Sequence, residues 1–456
     1  MRYRLFLFTI FLYFSAGAES VLSFRDALVL TEAYSAKIKS SEFEVLAAKR
    51  NLQAAKGLYF PQVNLRGAYI HAQKDLSVDF NPLKDILGQS FTSPLFGLDW
   101  RYTIQKRSFG FIGSDITIPI FTGGKIIAAN RAAKIAYNAA LSQSKEAQCV
   151  TITELVKRYF GYILASNVVK VRQKVVQGFR EHLSDMEHLL ENGMVAEAEL
   201  LYAKYTLAQA ESDLKSAILQ CSTTLESLRS TTGLNTTITT TTPIFIVTAI
   251  GDLSSFQRCA AESNPQLEYI EQQRLLAKQN IALNRAELLP QISFMGGGGF
   301  THRVTDILPR WAIGVGVNFK IFNGLSKEYR YSSAKSSYKR VEQLEIEAQR
   351  DISLLIHSLY NSTISHLTKA QSLSSAVAFS KEYLRVKKVA FSEGATTSTE
   401  VIEATINFAK SQIERLEAAY NFDVALAELL QASGSSNSFI DYCENQNKIV
   451  VEYEVY

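Results

Sequence analysis

The chain has 456 residues, of which 47% are hydrophobic and 20% charged, a composition that supports a folded core and excludes a disordered protein. Its formal charge of +4 is far from the basic footprint of a nucleic-acid-binding protein, so we expect no nucleic-acid partner. Eight prolines in the whole chain leave room for long, uninterrupted helices.

Residues 1–18 have the pattern of a Sec-type signal peptide. Arg2 and Arg4 precede an apolar run over Leu5–Phe14, and the small residues Ala16–Ala18 provide a cleavage site. The run is too short to span a bilayer as a helix, and no cysteine follows it to carry a lipid. No later apolar run reaches the roughly 18 residues of a membrane helix, so we expect an exported chain without one.

The first of two predicted repeats covers residues 19–233. Pro61 ends a helix, and two strands are predicted at about 61–71 and 109–121, with a long loop between them. The segment Gly124–Leu190 that follows contains no proline. At about 1.5 Å per residue it makes roughly 100 Å of helix.

The end of this helix carries a heptad seam and a stop signal. Its apolar residues step by three and four, as in helices that pack side by side. They are Val176, Phe179, Leu183, Met186 and Leu190. The sequence ENG, ending at Gly193, then stops the helix at a turn over about 191–199, and a second helix returns to about Arg229.

A second repeat follows a threonine-rich connector at residues 234–250. It covers 251–434 and is followed by a tail, 435–456. Its predicted strands and turn occupy about 290–300, 310–322 and 392–400. Short motifs mark the correspondence: LYFPQV returns as ELLPQI at an offset of 229, and PIFTGGK as KIFNGLSK at an offset of 201. The second offset holds without gaps from 121–233 to 322–434, which indicates a tandem repeat.

The strand RWAIGVGVNFKIF, residues 310–322, alternates strictly between large apolar and small or polar side chains. This period is typical of a strand with one apolar and one polar face. In an exported protein such strands suit an outer-membrane β-barrel whose apolar face contacts lipid. The residues predicted to face lipid are Trp311, Ile313, Val315, Val317 and Phe319. Four strands cannot close a membrane barrel, since the smallest have eight, so several copies must combine their strands.

In duplicate and in register, the junction motifs and turns resemble those of the TolC-like outer-membrane efflux channel family over essentially the whole mature chain. The resemblance implies a mainly α fold with a β-barrel part, in which a homotrimer combines a long helical barrel with a twelve-stranded transmembrane barrel. It implies an outer-membrane location with a large periplasmic portion. The implied partners are outer-membrane lipid, a periplasmic adaptor protein and an inner-membrane transporter.

The function implied by the resemblance is the exit duct of a tripartite efflux or type I secretion system. Drugs, metals and proteins all stay open as cargo, because selectivity in such systems lies mainly in the pump. The alternative is a periplasmic coiled-coil adaptor or a structural rod. Either would share the heptads but would not need strands that face lipid.

The resemblance places the two turns at the periplasmic entrance, with Gly193 and Gly394 in the segments that contact the adaptor. Glu400 and Glu403 share a helix face, and in a trimer they would form carboxylate rings that favour cations. Glu199 is the repeat partner of Glu400 and a further candidate for the entrance. An alternative stays open for Glu400, because the sequence TSTE that it ends has the pattern of a capping box.

The chain departs from the family at the entrance latch. Some members have an arginine two residues after the second-turn glycine and an aromatic hydroxyl three residues before it. Here these positions are Thr396 and Phe391. We therefore expect no salt-bridged latch of that kind, and an entrance that is looser or closed by packing.

No pattern indicates a catalytic, cofactor or metal site. The six histidines form no HExxH motif, and the four cysteines form no CxxC motif. Any disulfide pairing is left open for Cys149, Cys221, Cys259 and Cys443. The run Gly296–Gly299 lacks the Lys-Ser/Thr of a phosphate loop, so we interpret it as small residues in a crowded strand.

Overall fold

The computed structural model describes residues 20–88, 101–236, 238–304 and 310–454. The predicted signal peptide and the last two residues of the tail lie outside these ranges. The described helices are α1 (Phe24–Tyr34), α2 (Ala36–Gly57), α3 (Asn81–Gly88), α4 (Lys125–Glu191), α5 (Glu197–Thr232), α6 (Leu253–Ser263), α7 (Pro265–Ala286), α8 (Ser326–Ser392), α9 (Ser398–Ala432) and α10 (Phe439–Cys443). The described strands are β1 (Ser20–Leu22), β2 (Gln62–His71), β3 (Leu76–Asp79), β4 (Arg101–Phe121), β5 (Ile238–Thr240), β6 (Phe245–Ile246), β7 (Gln291–Val304), β8 (Trp311–Asn318) and β9 (Ile449–Val450).

The tandem repeat extends to whole elements. Helices α1 and α2 have 11 and 22 residues, and so do α6 and α7, which begin 229 positions later. Helices α4 and α8 both have 67 residues and begin 201 positions apart. The order β2, β4, α4, α5 returns as β7, β8, α8, α9. The predicted fold, mainly helical with two tandem repeats and a strand part, is confirmed.

The two compact units of the chain do not coincide with the two repeats. The first unit combines the described parts of Met1–Val45, Ala139–Glu271 and Leu344–Tyr456. The second combines those of Leu46–Asn138 and Gln272–Gln343. Each repeat therefore contributes to both units, because the long helices α4 and α8 each begin in one unit and end in the other.

An antiparallel sheet in the order β2-β4-β7-β8 forms the strand part of the second unit. Its registers bring apolar positions onto one face. Val63 lies opposite Ile116, which lies opposite Gly296. Gly296 in turn lies opposite Ile313. The glycine leaves room for its neighbours, since a Cβ there would lie only 3.1 Å from Ile116 Cγ2 and 3.4 Å from Ile313 Cγ2.

Around Asp115 the other face of this sheet is polar or small, although Phe111 and Met295 lie on the same face. Asn64 lies opposite Asp115 and donates from Nδ2 to Oδ2 at 2.8 Å. Arg66 forms an ion pair with the same carboxylate, with 3.1 Å between Nε and Oδ1. Asp115 then lies opposite Gly297, which lies opposite Ala312. The sheet therefore has one apolar and one mainly polar face, because every strand alternates with the same parity.

Phe319, the last residue predicted to face lipid, lies one residue beyond the end of β8, and its contact with lipid stays a prediction. The strand ends at Asn318, which is paired with Gln291, the first residue of β7. The residue before Gln291 is Pro290, which has no N–H to donate to the ladder. The alternating pattern continues beyond Asn318 in the sequence, but the partner strand does not.

The long loop predicted at 72–108 is also corrected. It contains β3 and α3, and β4 begins at Arg101, eight residues before the predicted start. The early part of β4 forms because Tyr102 and Thr103 pair with β3 and Gln105 pairs with Val304 of β7. Its sequence, RYTIQKR, carries three cations, and its apolar alternation is limited to Tyr102 and Ile104. The strand therefore depends on its partners rather than on a local pattern.

The core of the first unit is an aromatic cluster that joins distant segments. Phe24 of α1 packs against Tyr159 and Phe160 of α4, with ring centroids 5.5 and 5.6 Å apart. The Tyr159 hydroxyl donates to the Leu22 carbonyl at 2.8 Å. Phe245 and Phe439 complete the cluster and are fully buried. Phe245 lies in the connector between the repeats, so part of that polar-looking segment belongs to the core.

Candidate functional site

The turns predicted to form the entrance connect α4 to α5 and α8 to α9. Gly193 and Gly394 have left-handed backbones there, with φ of +69° and +70°, a conformation that favours glycine. In both turns the amide after the glycine donates to the carbonyl five residues earlier, at 2.9 and 2.8 Å. Apart from the chain neighbours of each glycine, no described residue has a heavy atom within 4 Å of where a Cβ would lie, so both turns have open space around them.

Glu400 lies in the first turn of α9, and its carboxylate is bonded rather than free. The Lys387 ammonium of α8 pairs with it, and the Thr396 hydroxyl donates to it at 2.7 Å. Both bonds lower the pKa of Glu400, that from Lys387 more than that from Thr396. Thr397 is the N-cap, and its hydroxyl accepts from the Glu400 amide at 3.4 Å. The capping box that the sequence left open is therefore present only in part. The Glu400 amide donates to the Thr397 hydroxyl, but the Glu400 carboxylate is bonded to Lys387 and Thr396 instead of to the Thr397 amide.

Glu403, one turn further along α9, is exposed, and no described residue forms an ion pair with it. Glu199 of α5 is half-buried and lies after Ala196, an N-cap whose side chain makes no capping bond. The repeat partners Glu199 and Glu400 therefore have different surroundings. The structure places Glu400 and Glu403 at one turn, with the first neutralised and the second open to solvent.

A residue that the sequence did not single out joins the two hairpins near their turns. His182 of α4 is 9% exposed, and its Nε2 lies 2.7 Å from the hydroxyl of Ser398, the first residue of α9. Its ring packs against Phe391, with centroids 5.1 Å apart. In the sequence His182 directly precedes the seam residue Leu183, so it flanks the heptad seam and does not belong to it. Polar residues at flanking positions can set the choice of partner, which is the signal that the sequence offered.

The apolar face of the sheet is exposed in the single chain. Trp311 is 70% exposed, and the predicted lipid-facing positions Ile313, Val315 and Val317 are exposed as well. Strand β2, at the other edge of the sheet, adds exposed apolar residues on the same side, among them Val63. A continuous apolar surface of this kind marks contact with a membrane or a partner, because a monomer in water does not tolerate it.

The described residues contain neither a disulfide nor a cluster of metal ligands. No three side chains of His, Cys, Asp or Glu in the described ranges are grouped to hold a metal ion. All four cysteines lie in those ranges and are free thiols. Of the described helices, none has an apolar stretch of the length that crossing a membrane needs.

Comparison with known proteins decides the family. The model of the outer membrane efflux protein family matches residues 27–234 and 258–435, well over half of the chain. The chain belongs to the outer membrane efflux protein family. The resemblance carried by the junction motifs is thereby confirmed. Outer membrane efflux proteins are channels rather than enzymes, in agreement with the lack of catalytic motifs in the sequence.

Solved outer-membrane channels share the fold of this efflux protein. The outer membrane protein VceC of Vibrio cholerae is 15% identical over 90% of this chain and 96% of its own, with a TM-score of 0.72. The CmeC channel of Campylobacter jejuni is 15% identical over 93% and 89%, with a TM-score of 0.74. The MtrE channel of Neisseria gonorrhoeae is 15% identical over 91% and 89%, with a TM-score of 0.71. Among curated protein sequences none matches the chain.

Proposed function

We propose that this outer membrane efflux protein is the homotrimeric exit duct of a tripartite efflux or type I secretion system. It conducts cargo passively from an inner-membrane pump across the periplasm and the outer membrane. The observation that carries the proposal is the sheet, in which the apolar positions of four strands share one exposed face. Such a face suits lipid, and the polar face suits a water-filled lumen.

The edges of the sheet support an assembly of several copies, of which the trimer is the one that we propose. Strands β2 and β8 end the strand order, and within the described residues neither pairs on its outer side. Unpaired backbone groups are not tolerated in lipid, so each edge requires a partner. The short β3 adds no width, because it pairs with β4 on the same side as β2. With four strands around the circumference per copy, three copies supply twelve, whereas one copy supplies fewer than the eight of the smallest membrane barrels.

Contacts with a periplasmic adaptor are proposed at the two turns. Gly193 and Gly394 have open space around them, and the neighbouring Met194 is 72% exposed. Exposed turns with fixed backbones are suited to docking, because little order has to be gained on binding. The inner-membrane transporter would then be joined to the duct through the adaptor.

Outer-membrane fractionation, cross-linking and planar-bilayer recording test the duct. We expect the mature chain to be extracted from outer membranes, to cross-link as a trimer and to conduct ions. A soluble periplasmic monomer would contradict the proposal and would favour the adaptor or rod alternative. The location, the assembly and the conductance are measured separately. A trimer that does not conduct would therefore support the proposed assembly and contradict the proposed duct.

Capture of the adaptor tests the docking turns. Asparagine tolerates the left-handed backbone, so Gly193→Asn and Gly394→Asn add a side chain without reshaping the turn. We expect both variants to capture less adaptor from a periplasmic extract. The matched control is Gly124→Asn, which lies in the other unit with φ of +86° and equally open space. An equal loss in the control, or no loss at either turn, would contradict docking at these glycines.

A further inference from the structure

We propose that His182 and Ser398 form a proton-sensitive latch that holds the two helical hairpins together beside the entrance turns and releases them on acidification. The latch deepens the proposed function, since it assigns a closing contact to the entrance of the duct. Its hydrogen bond uses neither Thr396 nor Phe391, the latch positions that the family resemblance pointed to, although Phe391 packs on the His182 ring.

The geometry of the latch joins three segments at one point. The hydrogen bond of 2.7 Å between His182 Nε2 and Ser398 Oγ connects α4 of the first hairpin to the first residue of α9 in the second. Ser398 is fully buried and His182 nearly so, so water does not compete for the bond. Phe391, at the end of α8, packs on the imidazole ring.

The latch also touches the turn that carries Glu400. Ser398 directly follows the N-cap Thr397, and the Thr397 hydroxyl accepts from the Glu400 amide. A shift of Ser398 away from His182 therefore moves the start of α9, where Thr396 and Lys387 hold the Glu400 carboxylate. The latch is thus positioned to set the arrangement of the second turn.

The charged groups around the His182 ring have opposite effects on its protonated form, so together they do not offset the cost of burying that charge. A cavity of about 430 Å³ beside His182 is lined by Lys174, Glu181 and Asp185 of α4 and by Lys388 of α8. The α9 residues lining it are uncharged. They are Val401, Ile402 and Thr405. Burial lowers the pKa of His182, Asp185 acts in the opposite direction, and Lys388 lowers it further.

The sign of the pH effect follows from this environment. The buried ring binds a proton more weakly than an exposed histidine, whose pKa is about 6.5. Protonation therefore favours the arrangement in which the ring reaches water, that is, parted hairpins. The latch is fully effective above about pH 6.5 and weakens as the pH falls below that value.

Hydrogen–deuterium exchange of the purified mature chain in detergent tests the latch. After correction for intrinsic rates, we expect the backbone amides of residues 388–400 to exchange faster at pH 5.5 than at pH 7.5, by up to about tenfold, because a ring that reaches water has a pKa of about 6.5 and takes up its proton over this range. In His182→Gln the amide side chain keeps a hydrogen-bonding group but does not titrate, so this acceleration should be absent. The control His188→Gln removes an exposed histidine of the same helix and should respond like the natural chain.

Two results would overturn the latch: the same acceleration in His182→Gln as in the natural chain, or no acceleration in the natural chain. A second measurement needs no variant. Deuterium exchange at the imidazole C2 carbon follows the titration of each histidine, and the latch requires the pKa of His182 to lie below about 6.5, the ordinary value of an exposed histidine. Titration of His182 at or above that value would also overturn the latch.

These readouts are independent of ion conduction, so the latch and the duct can fail separately. If acid accelerates amide exchange in the natural chain but not in His182→Gln, and the protein does not conduct, the latch is supported and the duct is contradicted. If a trimer conducts but the amide exchange of residues 388–400 does not change with pH, the latch is contradicted and the duct is supported. When both hold, acid should raise the open probability of the natural chain and of His188→Gln, but not of His182→Gln.

Discussion

Lys387 and Glu400 form an ion pair across the second entrance turn, 13 positions apart in the chain. The pair joins the last turns of α8 to the first turn of α9. It changes the role of Glu400, because a carboxylate that carries its own counter-ion contributes little negative field to a pore entrance. Glu403, which is exposed and has no such counter-ion among the described residues, is left as the stronger candidate for attracting cations.

The first prediction concerns this ion pair. Lys387→Met keeps much of the aliphatic side chain and removes the charge, so the Glu400 carboxylates of a trimer lose their counter-ions. We expect a stronger cation preference and stronger block by trivalent cations, because a ring of carboxylates favours cations. The double variant Lys387→Met with Glu400→Gln should lose this gain. Reversal potentials in a salt gradient measure the preference, and Lys387→Met with unchanged selectivity would mean that Glu400 does not face the permeating ions.

Glu403→Gln gives the complementary expectation. It should reduce the cation preference without loosening the turn, since no ion pair joins the exposed Glu403 side chain to another described residue. Glu400→Gln, in contrast, should also accelerate amide exchange of residues 391–400, because the bond from Lys387 is weakened. Equal exchange in the two variants would show that the ion pair does not order the turn.

The second prediction concerns the faces of β8. Val315→Arg and Val317→Arg put a charge on the apolar face and should impair insertion, by about 2–4 kcal/mol if the site lies near the middle of the bilayer. Asn318→Arg, on the polar face, should insert normally and change the conductance. Insertion is measured by folding into lipid vesicles. Equal damage on both faces would contradict the assignment of the apolar face to lipid.

The third prediction concerns Asp423, which is fully buried in the first unit. Its Oδ2 accepts from the Phe245 amide at 3.5 Å, and its Oδ1 has no hydrogen-bond partner among the described residues. Burial raises the pKa of Asp423 well above its usual value of 3.8, against the opposing effects of the Phe245 amide and Lys448. A carboxyl that holds its proton more tightly when folded stabilises the fold most below pH 3.8 and progressively less as the pH rises through the raised pKa.

Asp423→Asn keeps an acceptor for the Phe245 amide and removes the ionisation. We expect it to be more stable than the natural chain at pH 7.5, because the buried carboxyl weakens the fold as it ionises and the amide does not ionise. The difference should narrow towards pH 4. The control Asp441→Asn changes an exposed carboxylate and should not show this pH dependence. Denaturant unfolding measures the difference, and a constant gap across pH would contradict it.

The fourth prediction concerns the C-terminal tail, whose strand β9 pairs with β6 of the connector. Val451 is 6% exposed and its amide donates to the Ile244 carbonyl at 3.0 Å, whereas Val450 beside it is 43% exposed. Val451→Ala removes two buried methyl groups and should cost about 1.5 kcal/mol of unfolding free energy. Val450→Ala should cost less than about 0.5 kcal/mol. Equal costs would mean that the tail is not docked in solution.

The sequence by itself determined the features that depend on local pattern. Period-two alternation placed Val315 and Val317 on one face of a strand, because side chains of an extended chain alternate whatever the partner strand is. The stop signals at Gly193 and Gly394 placed the turns, because a left-handed backbone at a helix end favours glycine. The repeated motifs determined the tandem architecture, because the same local signals occur twice in the same order.

The tertiary structure alone decided the features that depend on contacts between distant residues. Phe319 falls outside β8 because the residue opposite it, just before the facing strand β7, is Pro290, which has no N–H to donate. The alternation within residues 310–322 contains no information about that proline. The Glu400 carboxylate binds Lys387 rather than the amide of its own N-cap, because the return of α9 along α8 brings the ammonium within reach. His182 and Ser398 are 216 positions apart, and their bond exists only because the two hairpins pack side by side, an arrangement set by side-chain burial over the whole unit rather than by either sequence segment.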